Sequence, residues 1–163
     1  GTIYETQLIG NESWGSFCSG GRYDALASDG KTSYPGVGIS IGISRLLGLL
    51  VGKGLLMASR STPACVLIAL VSDDQRDRSS AVAKALRDRG IPCEVAPTAA
   101  KFGRQIRYAE RRGIPYVWFP GDGEQPAGDQ VKDIRSGDQI DADTDSWAPP
   151  VADLRPTVSR ADG

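Results

Sequence analysis

The sequence predicts an α/β fold in two unlike parts. Residues 1–56 combine β-branched and aromatic runs with closely spaced glycines and one short apolar helix pattern. Residues 64–142 alternate apolar strand runs with amphipathic helix runs, and a glycine closes each helix. Residues 57–63 between them are small and polar and end on Pro63, the composition of a linker. Residues 143–163 form an acidic tail broken by Pro149, Pro150 and Pro156.

Residues 2–9 hold Thr2, Ile3, Tyr4, Thr6 and Ile9, types that favour strands. Gly10-Asn11-Glu12-Ser13 has turn chemistry, and Trp14 to Cys18 is the expected second, antiparallel strand of a hairpin. Next comes Ser19-Gly-Gly-Arg-Tyr-Asp24. Paired glycines in a strand pattern point to a bulge, a tight turn or a close backbone approach. Ala25 to Ala27 fits one helical turn and residues 28–33 a polar loop. Val37 to Ile41 reads as a strand ended by Gly42. Leu46, Leu47, Leu49, Leu50 and Val51 then repeat at helical spacing, which predicts a buried helix from Ser44 to Gly52.

Ala64 to Val71 is a continuous apolar run, the pattern of a strand buried on both faces. Asp73 to Arg89 is a helix with Ser72 or Asp73 as N-cap and an apolar stripe of Ala81, Val82, Ala85 and Leu86. Gly90 stops it. Cys93 to Ala96 is a short strand, Lys101 to Arg112 a second helix closed by Gly113, and Tyr116 to Phe119 a third strand. This order predicts parallel strands with right-handed crossovers. After the glycine- and proline-rich loop from Pro120 to Gly128, residues 130–135 and 139–141 form a hairpin around Ser136-Gly137-Asp138. The sheet is therefore mixed but mostly parallel. The tail is expected to be partly ordered or weakly helical.

At 163 residues, 40% hydrophobic and 24% charged, the chain has enough apolar material for a core that needs no disulfides. Its three cysteines form no C-x-x-C and read as small buried residues in a reducing cytosol. It has no histidine, which excludes His-dependent triads and most catalytic zinc sites. No metal site is expected. Gly121-Asp-Gly-Glu124 lacks the remaining ligands of a calcium loop. Gly36-Val-Gly-Ile-Ser-Ile-Gly42 has its third glycine one residue too late for a dinucleotide fingerprint. No signal peptide is expected from these residues, and no apolar run is long enough to span a membrane.

Net charge is −1, unevenly spread. Residues 72–119 carry ten Lys/Arg against six Asp/Glu, whereas residues 120–163 carry four against ten. The basic block points to a polyanion-binding face. On the helix from Lys101 to Arg112, the residues Phe102, Ile106 and Ala109 are assigned to the core. Lys101, Arg104, Gln105, Tyr108, Arg111 and Arg112 line the other side. Long basic chains with an aromatic ring and an amide suit a phosphate backbone and an unpaired base. Arg45, in the first turn after Gly42, places a guanidinium beside a helix N-terminus, where both favour anions.

These segments resemble class II histidyl-tRNA synthetases. Ser19-Gly-Gly-Arg-Tyr-Asp24 is similar to the family's histidine-specific segment, and Pro35-Gly-Val-Gly-Ile-Ser-Ile-Gly-Ile-Ser-Arg-Leu46 to class II motif 3. Thr2-Ile-Tyr-Glu5 is similar to the strand that follows the family's R-G-L-D-Y-Y segment. Lys101-Phe-Gly-Arg-Gln-Ile-Arg-Tyr-Ala109 and Val131-Lys-Asp-Ile-Arg-Ser-Gly137 are similar to its C-terminal anticodon-binding domain. The likeness covers about the first 140 residues. It implies a remnant of the antiparallel class II catalytic sheet in residues 1–56, followed by an α/β anticodon-binding domain in residues 64–142.

The resemblance also implies roles. Arg45 matches the motif 3 arginine that binds the γ-phosphate of ATP, and Gly42 lies beside the adenine site. Tyr23 matches a tyrosine that helps hold substrate histidine, with Gly20 and Gly21 shaping that pocket. Lys101, Arg104, Gln105, Tyr108 and Arg111 would face the tRNA(His) anticodon stem-loop. The parent enzyme would use ATP with Mg2+, work as a homodimer and reside in the cytoplasm; this chain would hold no cofactor tightly. Ser44 stands where many members have an acid, and the proline-rich tail departs from the family's final helix. Motifs 1 and 2 would lie upstream of Gly1. The chain is thus expected to be a C-terminal fragment that does not aminoacylate tRNA alone. The alternative is the synthetase-like regulatory subunit of histidine biosynthesis. That paralogue lacks this type of C-terminal domain and usually lacks the arginine.

Overall fold

Glycines shape the first sheet. In the computed structural model, which describes residues 1–121 and 128–160, three antiparallel strands lie side by side in chain order. They are β1 (Ile3–Thr6), β2 (Cys18–Tyr23) and β3 (Gly36–Ile41). The expected second strand at residues 14–18 is corrected. Glu12–Trp14 form a 3-10 turn and Gly15, at φ 72°, breaks the chain, so the strand begins only at Cys18. The Gly20–Gly21 pair is neither bulge nor turn, because β2 pairs in unbroken register with both neighbours, Gly20 lying between Tyr4 and Ile39. The close approach is real: a Cβ at Gly20 would sit 2.6 Å from the Tyr4 ring, whose hydroxyl donates to the Gly38 carbonyl at 2.7 Å. Residues 25–28 make a turn rather than a helix, closed by the Ser28 amide on the Ala25 carbonyl.

Gly42 then caps α1 (Ile43–Gly52). Expected to be buried, α1 buries only Leu49; Leu47 and Val51 are 47% and 59% exposed. β4 (Leu56–Ala58) follows. The chain divides into two compact units, Gly1–Met57 with the residues from Arg160, and Ala58–Ser159.

The second unit is built on the apolar run from Ala64. Residues 64–70 are each 4% exposed or less, and β5 (Val66–Ile68) is the second strand of a five-stranded sheet. A 3-10 turn, Asp73–Gln75, leads into α2 (Arg76–Asp88). β6 (Cys93–Val95), α3 (Phe102–Arg112), β7 (Tyr116–Phe119), β8 (Gln130–Asp133) and β9 (Gln139–Asp141) follow. The sheet order is β6-β5-β7-β8-β9; β6, β5 and β7 are parallel, and β8 and β9 add antiparallel. The sheet is mixed, as expected.

α2 covers one face through Val82, Ala83 and Leu86, packed with Val66, Ile68 and Trp118. α3 covers the other through Ala109 and Ile106, packed with Leu67 and Val117. Two helix faces differ from expectation. On α2 the buried stripe is Ser79, Val82, Ala83 and Leu86, while Ala81 is exposed. Starting α2 at Arg76 leaves Ser79 facing the sheet, where its hydroxyl donates to the Ala69 carbonyl at 2.9 Å. On α3, Gln105 is buried and Phe102 is 43% exposed, the reverse of the predicted assignment.

The tail is tied down at several points, the last at Thr157, whose carbonyl accepts from the Ser59 amide and whose amide donates to the Ser59 hydroxyl. The Trp147 ring packs edge-on against Tyr116 and Trp118, centroids 5.5 Å apart in each case. α4 (Val151–Leu154) is one turn long, and Arg60 donates to the carbonyls of Asp153 and Leu154. β10 (Val158–Arg160) is the last described element. Most of the expected glycine–proline loop at 120–128, including the rejected calcium-loop pattern after Gly121, lies outside the described residues. Among the described residues no helix is long and apolar enough to cross a membrane.

Candidate functional site

In the second unit, neighbouring parallel strands β5 and β6 send their following helices to opposite faces of the sheet. A cavity of about 220 Å³ opens between the loop that follows β6 and the flank of α3. Its walls are the loop 96–100 and, from α3, Arg104, Gln105, Tyr108 and Arg111.

Gln105 sets the cavity's shape. Its amide nitrogen donates to the Leu70 carbonyl at 2.8 Å and the Ala100 carbonyl at 2.6 Å, and its oxygen accepts from the Leu70 amide at 2.9 Å. Both amide protons are thereby used, so Gln105 joins the end of β5 to the loop before α3. The sequence reading of Gln105 as an outward nucleotide contact is corrected to this internal role. The other predicted residues do come together. Lys101, Arg104 and Arg111 are exposed and Tyr108 is half-buried. Arg107, not singled out from sequence, is exposed as well; its position three residues after Arg104 and four before Arg111 is the signal that marks it. The Arg112 guanidinium stands 5.4 Å from the Tyr108 ring centre and 3.3 Å from the Glu94 carboxylate. Burial, followed by the nearby Glu94 carboxylate, pushes the Tyr108 phenol above its ordinary value, against the pull of Arg112 and Arg111. The phenol is thus neutral at physiological pH and presents a ring beside a row of cations. Cations in a row beside an aromatic ring and a cavity have the chemistry that suits phosphates and an unpaired base.

In the first unit the predicted residues separate. Along β2 alternate residues point to opposite faces. Tyr23 and Gly21 share a face with Gly38, where the missing side chain leaves room for the Tyr23 ring: a Cβ there would lie 3.3 Å from it. Gly20 points to the other face and accommodates Tyr4. An open concavity of about 570 Å³ lies over Ser19, Gly21, Tyr23, Gly38 and Ser40. Gly42 lies beyond the Cys18 end of β2, its amide donating to the Phe17 carbonyl at 2.7 Å. Arg45 is exposed there, its Nη1 donating to the Ser16 carbonyl at 2.6 Å. Tyr23 and the Arg45–Gly42 pair thus occupy opposite ends of β2, roughly 16 Å apart along the strand. Among the described residues no group of three or more His, Cys, Asp or Glu side chains is placed to hold a metal ion.

Residues 64–150 match the family described as "Anticodon binding domain". A histidine–tRNA ligase of Cutibacterium acnes is 59% identical over 160 residues, covering 97% of this chain and 35% of the relative. One from Micrococcus luteus is 55% identical over 162 residues, covering 99% and 35%. The crystal structure of histidyl-tRNA synthetase from Nostoc sp. PCC 7120 is 37% identical, with a TM-score of 0.47, over 85% of this chain and 32% of that one. The chain spans 35% of the length of these two curated relatives.

Proposed function

The chain belongs to the family of anticodon-binding domains, and from that premise we propose that it is the C-terminal part of a histidine–tRNA ligase. In this reading the second unit binds the tRNA(His) anticodon stem-loop and the first supplies motif 3 and part of the histidine pocket. The supporting observation is the continuity of the likeness: 59% identity runs through 97% of the chain, across both units. The regulatory-subunit alternative is disfavoured, because that paralogue lacks the kind of domain matched by residues 64–150.

The whole ligase would activate histidine with ATP and transfer it to tRNA(His), as a cytoplasmic homodimer. Arg45 fits the γ-phosphate. Its guanidinium is exposed and only Nη1 is engaged, which leaves donors for a charge-assisted pair with a phosphate oxygen. Tyr23 and Gly21 fit one wall of a small-molecule pocket, and Gly42 holds α1 against Phe17 beside the nucleotide. Magnesium would accompany ATP in the whole enzyme, and no residue of this chain is assigned to hold it. Removing parts of a coupled site lowers rates by orders of magnitude, so the chain alone is inactive in this proposal.

Binding to a tRNA(His) anticodon stem-loop tests the reading. Affinity is expected to fall with salt, with a slope of about −0.7 per phosphate contacted. Arg104→Glu and Arg111→Glu are each expected to weaken binding and flatten that slope. A salt-insensitive affinity, or one untouched by both reversals, overturns α3 as the contact face. Turnover by the isolated chain with ATP, histidine and tRNA would overturn its inactivity.

A further inference from the structure

Sequence periodicity puts Phe102 in the core, and the structure leaves it 43% exposed at the start of α3. Single exposed apolar residues are ordinary on protein surfaces, but three features set this one apart. Its ring is braced: the Phe119 ring lies 4.8 Å away, centroid to centroid, at 72°, an edge-to-face pair that fixes the ring plane. A braced ring loses little conformational freedom on binding. It stands between cations, with exposed Lys101 before it and exposed Arg104 two residues on. It also stands at the end of the sheet that carries the cavity, since Phe119 closes β7 at the same carboxyl edge.

At 100° per residue, Phe102 and Arg104 project about 200° apart around α3. The helix start therefore offers an exposed aromatic ring on one flank and the cavity of Arg104, Tyr108 and Arg111 on the other. We propose that Phe102, braced by Phe119, is a stacking platform for an unpaired base of the anticodon loop, while a neighbouring base enters the cavity and Lys101 and Arg104 take the phosphates between them. This rests on the anticodon-binding reading above. An unpaired base fits because it combines a flat π-face for Phe102 with an anionic backbone for the flanking cations.

The test uses the full chain and a tRNA(His) anticodon stem-loop, intact or with one anticodon base at a time replaced by an abasic site. Phe102→Ala is expected to lose about tenfold in affinity for the intact stem-loop, the scale of one base–aromatic stack. It is expected to bind at least one abasic stem-loop as well as the unaltered chain does, with an unchanged salt slope. Phe102→Leu keeps an apolar group against Phe119 and is expected to show the same loss. Wild-type-like binding by Phe102→Leu, or an equal loss by Phe102→Ala on every abasic stem-loop, reduces Phe102 to packing and overturns the platform. Tight binding by the unaltered chain that neither variant disturbs overturns the platform and leaves the anticodon reading standing. Failure of the unaltered chain to bind the stem-loop overturns both.

Discussion

Gln105 illustrates how one amide can look like a ligand and act as a joint. Long polar side chains on a basic helix invite a binding role, yet this one is 3% exposed and joins two backbone segments. Gln105→Leu would leave the Leu70 amide and carbonyl buried without partners. Each buried, unpaired group costs about 1–3 kcal/mol, so a loss of roughly 2–4 kcal/mol is expected in urea unfolding followed by Trp118 and Trp147 fluorescence. A loss under 1 kcal/mol would show that water or a neighbour replaces the amide. Gly20 carries a similar lesson. The neighbouring glycines look equivalent in sequence, but the strand's alternation turns Gly21 toward Tyr23 and Gly20 toward the ring of Tyr4.

Among the elements, the contact of β7 and the β8–β9 turn with the one-turn helix α4 has the clearest pH signature. The Arg135 guanidinium donates to both Asp133 and Asp153, and Tyr116 donates to Asp153 at 2.7 Å. The hydrogen bonds from Arg135 hold both carboxyls below the usual carboxylate range. Burial, then the bond to Asp153, pushes the Tyr116 phenol up to about 12. A depressed carboxyl stabilises the fold above its ordinary value, near 3.8, and that contribution disappears as pH falls through the lower, folded value. A raised phenol stabilises the fold below its ordinary value, near 10, and that contribution disappears as pH rises toward about 12. The melting temperature of the second unit is therefore expected to drop below about pH 4 and above about pH 10. Tyr116→Phe should flatten the alkaline limb and Arg135→Met the acid limb. An alkaline limb unchanged in Tyr116→Phe would assign that loss to other groups.

At the scale of the whole molecule, the core is unevenly divided. Of the buried apolar residues, the first unit contributes Cys18 and Leu49, and the second unit all the others. Meanwhile Val37, Ile39 and Ile41 of β3 are each more than half exposed. Local stability follows buried apolar contact, so amide exchange is expected to be slowest in β5 and β7 and orders of magnitude faster in β1 to β3. Hydrogen exchange read by mass spectrometry checks this, and equal protection in the two sheets would contradict it. Unfolding followed by Trp14 should accordingly precede unfolding followed by Trp118 and Trp147.

The sequence by itself determined the order of strands and helices in the second unit, because long apolar runs and glycine stops are local signals. Tyr116 to Phe119 and the turn at Gly137, whose φ is 88°, appear where the pattern puts them. It also marked Arg104, Tyr108 and Arg111, since helical spacing alone brings them to one side. The tertiary structure decided what lies behind each residue. A 3.6-residue period identifies an apolar stripe but not the rotation at which the helix meets the sheet, so Gln105 and Phe102 exchanged places and α2 buried Ser79 rather than Ala81. A β-branched pattern likewise leaves a strand's start open when a glycine at positive φ lies inside it, as Gly15 does before β2. Whether paired glycines bend a strand or admit a neighbouring ring depends on what crosses them, and at Gly20 that neighbour is Tyr4, sixteen residues away.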